Sequence, residues 1–84
     1  MLGQTSKFER ANMFLVGDIV EIVATDSGRG EWIGFQATVL PWPEDEEQYE
    51  DGLLQNWLQP NYSRPDQFGE KPFMWPAKNL VKIG

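Results

Sequence analysis

Apolar and polar positions alternate most regularly between Val16 and Leu40. Val20, Ile22 and Ala24 interleave with Ile19, Glu21 and Val23, and Ile33, Phe35, Ala37 and Val39 interleave with Trp32, Gly34, Gln36 and Thr38. A period of two is that of strands with one buried face. Asp26, Ser27, Gly28, Arg29 and Gly30 join the two runs with a polar, glycine-containing link suited to a hairpin loop. The pattern therefore predicts two paired strands, the second from Glu31 to Leu40. Val20, Ile22, Ile33, Phe35, Ala37 and Val39 are expected to point inward, and Trp32 outward beside Gln36 and Thr38.

Further along, Pro41 and Pro43 end the second strand, since neither can donate a ladder hydrogen bond. A highly charged segment follows. Leu53, Leu54, Trp57 and Leu58 fit either one face of a short helix or a strand bounded by Asp51-Gly52 and Pro60; a strand from about Gly52 to Leu58 is the preferred reading. The run from Gln59 to Lys71 is rich in turn residues and reads as a loop. Pro72 to Trp75 reads as a fourth strand, Pro76 to Asn79 as one 3₁₀ turn and Leu80 to Ile83 as a last short strand. Residues 1–13 show neither period and are expected to form a flexible arm ahead of a single domain over residues 14–84. Trp57 and Trp75 are expected in the core.

Composition narrows the chemistry. Eighty-four residues support one core, because a chain of this size buries only about 60–65% of its unfolded surface. Cysteine and histidine are both absent, which removes thiolate and imidazole ligands, Ser-His and Cys-His nucleophiles and the usual general base near neutral pH. No cofactor and no enzymatic activity are expected. The lack of disulfides and of an apolar leader core leads to the expectation of a cytoplasmic protein with no membrane insertion. Charge is uneven: Glu44, Asp45, Glu46, Glu47, Glu50 and Asp51 stand among Pro41 to Gly52 without a base, while the rest of the chain balances seven acids against seven bases. The formal net charge of −6 is thus one local cluster, the wrong sign for a groove that takes up phosphates.

Several residues carry a resemblance. Gly17-Asp18 followed by Val20 and Ile22, then Gly34-Phe35-Gln36-Ala37-Thr38-Val39, is similar to the KOW pattern, with Ile33 where a Lys is usual and Ala37 where a second Gly is usual. Trp75-Pro76-Ala77-Lys78-Asn79-Leu80-Val81 resembles the F-P-x-N-Y-V closing segment of SH3 domains, with one residue inserted and without their A-L-Y-D-Y opening motif. The Gly34 to Val39 run also resembles the G-F-x-G-x-V run of SH3-like accessory subunits of photosynthetic electron-transfer complexes. Spanning residues 16–40 and 73–83, these likenesses imply an all-β, five-stranded SH3-like barrel. It would carry a long acidic, turn-rich insertion over about residues 41–71 and a 3₁₀ turn before the last strand. Fold alone does not assign function.

The candidate binding residues are Trp32, Trp42, Glu44, Asp45, Glu46, Glu47, Tyr49 and Tyr62. Clustered carboxylates steer a cationic surface, and neighbouring aromatics bind arginine- or proline-containing segments by cation–π and stacking contacts. The expected function is a non-catalytic interaction module or small accessory subunit whose partner is another protein with a basic or proline-containing surface. Two alternatives are an acidic inhibitor that mimics nucleic-acid charge and a nucleic-acid-binding KOW-like barrel.

Overall fold

The computed structural model describes residues 14–84; the arm expected over residues 1–13 lies outside them. Among the described residues the secondary structure is six antiparallel strands and two 3₁₀ turns. The strands are β1 (Ile19–Ile22), β2 (Gln36–Leu40), β3 (Tyr49–Glu50), β4 (Leu53–Pro60), β5 (Phe73–Pro76) and β6 (Leu80–Lys82). They form a curled sheet in the order β3-β4-β2-β1-β6, with β5 paired to β4. Trp57 and Leu58 pair with Leu40 and Val39 on one side and with Met74 and Phe73 on the other. β4 is therefore central, and it is a strand throughout. A 3₁₀ turn at Ala77–Asn79 leads from β5 into β6.

The inward register holds for Val20, Ile22, Phe35, Ala37 and Val39, all buried with Leu58, Phe73, Trp75 and Leu80. It fails at Trp32 and Ile33. The expected strand from Glu31 begins only at Gln36, because Gly30–Trp32 is a 3₁₀ turn. Trp32 N–H donates to Arg29 O, Ile33 N–H to Gly30 O and Phe35 N–H to Trp32 O, at 3.0, 3.1 and 3.0 Å. These bonds replace a period of two by a period of three. Gly34, at φ 91°, then turns the chain back into the ladder in a conformation that a side chain would strain. Trp32 and Phe35 consequently both face inward, Trp32 at 1% exposure, while Ile33 is 48% exposed.

The core is chiefly aromatic at this end. The Trp32 ring lies 4.9 Å from Phe73, 5.2 Å from Trp75 and 5.4 Å from Phe35, centroid to centroid. The Trp75 indole N–H donates to Ala24 O at 3.2 Å, so its one polar atom is satisfied on burial. Truncating a side chain so enclosed removes its transfer free energy and leaves a cavity. We expect Trp32→Ala to destabilise the fold by about 3–5 kcal/mol, and Ile33→Ala by less than about 1 kcal/mol, in urea unfolding followed by circular dichroism. Equal losses would mean that the inward and outward assignments of these neighbours are wrong.

Candidate functional site

Strand parity gives β4 two unlike faces. Leu58, paired with Val39 and Phe73, lies in the core, whereas Trp57, paired with Leu40 and Met74, lies on the outer side of the sheet. Trp57 is half-buried and Met74 is 38% exposed. Leu40, Trp57 and Met74 thus form an apolar row across three strands on the solvent side. Trp57 belongs to this row and not to the core, contrary to the expectation from sequence.

The acidic segment is tethered to that row. Past Leu40, the half-buried Trp42 sets its ring edge-on to Trp57 at 6.4 Å, and its indole N–H donates to Glu46 O at 3.0 Å. Glu46 N–H closes a turn on Pro43 O at 3.2 Å. Glu44, Asp45, Glu46 and Glu47 are exposed on this turn. The chain then enters a β3–β4 hairpin through Asp51 and Gly52, at φ 54° and 79°, the two positive-φ residues of a type I′ turn for which Asp-Gly is well suited. Glu50 pairs with Leu53, on the Trp57 side of β4, and Tyr49 with Leu54, on the other. None of the six acids makes an ion pair among the described residues, where the three pairs are Arg64–Asp66, Lys78–Asp26 and Lys82–Asp18.

Of the residues expected from sequence, the structure brings together Trp42, Glu44, Asp45, Glu46 and Glu47. Trp32 is a core residue and not an exposed one, for the reason given by the 3₁₀ turn. Tyr49 is 57% exposed on the far side of its hairpin. Tyr62, 47% exposed, lies at the opposite end of β2, where its hydroxyl accepts from Gln36 N–H at 3.1 Å and its ring meets Phe35 at 4.8 Å. Leu40, Trp57 and Met74 were missed as site residues. Pairing Trp57 with Leu58 as adjacent strand residues of opposite parity would have shown that both cannot face the core.

The loop from Asn61 to Pro72 is organised by Arg64. Its guanidinium sits 5.3–5.4 Å from the rings of Trp32, Phe68 and Phe73. It donates to Lys71 O at 2.8 Å, to Pro72 O at 3.2 Å and to Asp66 Oδ2 at 2.7 Å. This arginine plugs the aromatic end of the core and is not available to a partner. Among the described residues no group of three or more acids converges as metal ligands would, and no helix is long and apolar enough to cross a membrane.

No family model matches the chain, and no curated protein or solved structure matches it either.

Partial burial raises the Asp66 carboxyl, but the Arg64 hydrogen bond and charge and the Phe68 N–H outweigh it, so the group titrates below the ordinary aspartate value. A folded value below the unfolded one, about 3.9, stabilises above that pH, and the contribution is lost as pH falls through the folded value. Asp66→Asn is therefore expected to lower the urea midpoint at pH 7, with the difference from wild type shrinking as pH falls below the ordinary aspartate value. A difference that persists unchanged in acid would show that the carboxylate charge is not its source.

Proposed function

We propose that this protein is a non-catalytic interaction module, or a small accessory subunit, that docks a basic protein partner on the outer side of its sheet. The observation that carries the reading is the apolar row Leu40, Trp57 and Met74, with Trp42 at its edge and, beside it, six acids without an ion pair among the described residues. Large apolar side chains left on the solvent side of a sheet, rimmed by charge, are typical of protein-binding surfaces. The acids accelerate encounter with a cationic surface, and the aromatics supply contact area once water is expelled.

The finer fold reading is an SH3-like barrel. Its support is the strand order β6-β1-β2-β4-β5 with a 3₁₀ turn between β5 and β6, to which the β3 hairpin is an addition. Nucleic-acid mimicry is the weaker alternative, because the acids gather at one corner and are not spread along a face as phosphates are along a strand.

Converting Glu44, Asp45, Glu46 and Glu47 together to Gln tests the steering role. We expect the variant to lose on the order of tenfold in retention of a partner captured from host extract in low salt, with a flatter dependence on added salt than wild type. Unchanged retention in low salt would remove the acids from the mechanism.

A further inference from the structure

The turn between β3 and β4 joins a reactive dipeptide to a conformation that little holds in place. Of the chain's five aspartates Asp51 alone is followed by glycine, and none of the four asparagines is. A Cβ on the following residue crowds any approach of its main-chain nitrogen to the aspartate carboxyl, and glycine has none. Asp51 and Gly52 are both exposed, and the Gly52 N–H donates to no group among the described residues.

The other aspartates are closed to the same approach. The nitrogens after Asp18, Asp26 and Asp45 are engaged: Ile19 N–H donates to Gly84 O at 2.8 Å, Ser27 N–H to Thr25 Oγ1 at 3.3 Å and Glu46 N–H to Pro43 O at 3.2 Å. Asp66 keeps its carboxylate bonded to Arg64 and to Phe68 N–H. At Asp51 the backbone is also strained, since it is the one non-glycine residue at positive φ among the described residues, at 54°. Its hairpin rests on a β3 strand of two exposed residues, paired Tyr49 to Leu54 and Glu50 to Leu53, with Gln55 N–H bonded to Gln48 O at 2.9 Å behind them. So short a strand opens at far lower cost than the core, and opening lets the Asp51 carboxyl rotate onto Gly52 N.

We propose that Asp51-Gly52 is a site of spontaneous isoaspartate formation, and that the reaction releases β3 from β4. The Gly52 main-chain nitrogen attacks Cγ of the Asp51 carboxylic acid. An N–Cγ bond forms, and the amide proton and the carboxyl hydroxyl leave together as one water, giving a cyclic succinimide. Water then adds to either ring carbonyl. Addition at Cγ breaks the new bond and restores aspartate. Addition at the main-chain carbonyl breaks the original bond to Gly52, so that the chain runs on through Cγ and the α-carboxyl becomes a side group. Mass and charge are unchanged, but the backbone gains one methylene. A two-residue hairpin fixes its register through the φ and ψ of both turn residues, and an extra backbone atom does not fit it. Leu53 and Leu54, which pair with no other strand among the described residues, then become an open strand edge.

The test is incubation of the full chain at neutral pH over weeks, read by peptide mapping with fragmentation that tells aspartate from isoaspartate, and by amide hydrogen exchange on the same samples. A second species of equal mass is expected in the peptide that carries Asp51, with a minor one lighter by one water, and neither at Asp18, Asp26, Asp45 or Asp66. In the isomerised fraction Glu50, Leu53 and Leu54 are expected to lose amide protection while Val20, Val39 and Leu58 keep theirs. Asp51→Asn, which retains a pair suited to the turn, should give the same product faster with release of ammonia. No isomer at Asp51, or equal amounts at the other aspartates, would overturn the site. Isomer at Asp51 with amide protection in β4 unchanged would overturn the release of β3.

Discussion

Trp32 is the side chain on which the remaining architecture depends. Its indole is in contact distance of Phe35, just ahead of β2, and of Phe73 and Trp75 from β5, and the Arg64 guanidinium lies 5.4 Å from it. One ring therefore joins the 3₁₀ turn after β1, the entry to β2, β5 and the long loop before β5. Arg64 in turn holds that loop through Asp66, Lys71 O and Pro72 O. A small core cannot draw on many residues, and clustering four large aromatics at one end concentrates burial where the chain has least regular structure to offer.

That concentration has a consequence for the opposite surface. With Trp32 and Trp75 inside, the inner side of β4 needs only Leu58, Asn56 and Pro60, all buried, and Trp57 is left for the outside. A residue of that size on a solvent-facing strand brings Leu40, Met74 and Trp42 about it, and the indole N–H of Trp42 secures the acidic turn beside them. The core and the proposed binding face thereby lie on opposite sides of the same strands. Trp57 and Leu58 are adjacent in the chain and face opposite ways.

Much of the curled sheet was legible in the alternation of Val20 and Ile22 with their neighbours and of Phe35, Ala37 and Val39 with theirs, because a period of two has one structural meaning. The 3₁₀ turn before β6 and the loop ahead of β5 were legible from turn residues; β4 was legible only as the preferred of two readings, a strand over about Gly52 to Leu58 or a short helix, and its extension through Gln59 and Pro60 was read as loop. Trp32 and Ile33 were not, since a single 3₁₀ turn closed by Gly34 resets parity without disturbing the hydrophobic pattern on either side. The β3 hairpin was signalled by Asp51-Gly52 but obscured by the acids around it, which read as loop. Arg64 illustrates a further limit: its aromatic partners at positions 32, 68 and 73 are brought together only by the fold, and the local run Arg64-Pro65-Asp66 shows no more than a turn.

The separation of the two faces is the central claim, and Met74→Gln tests it in one variant with two readouts. Met74 is 38% exposed and paired to Trp57 on the outer side. Unfolding free energy within about 0.5 kcal/mol of wild type is expected, with low-salt retention of a partner captured from host extract reduced by about fivefold or more. Stability lost with binding unchanged would contradict it.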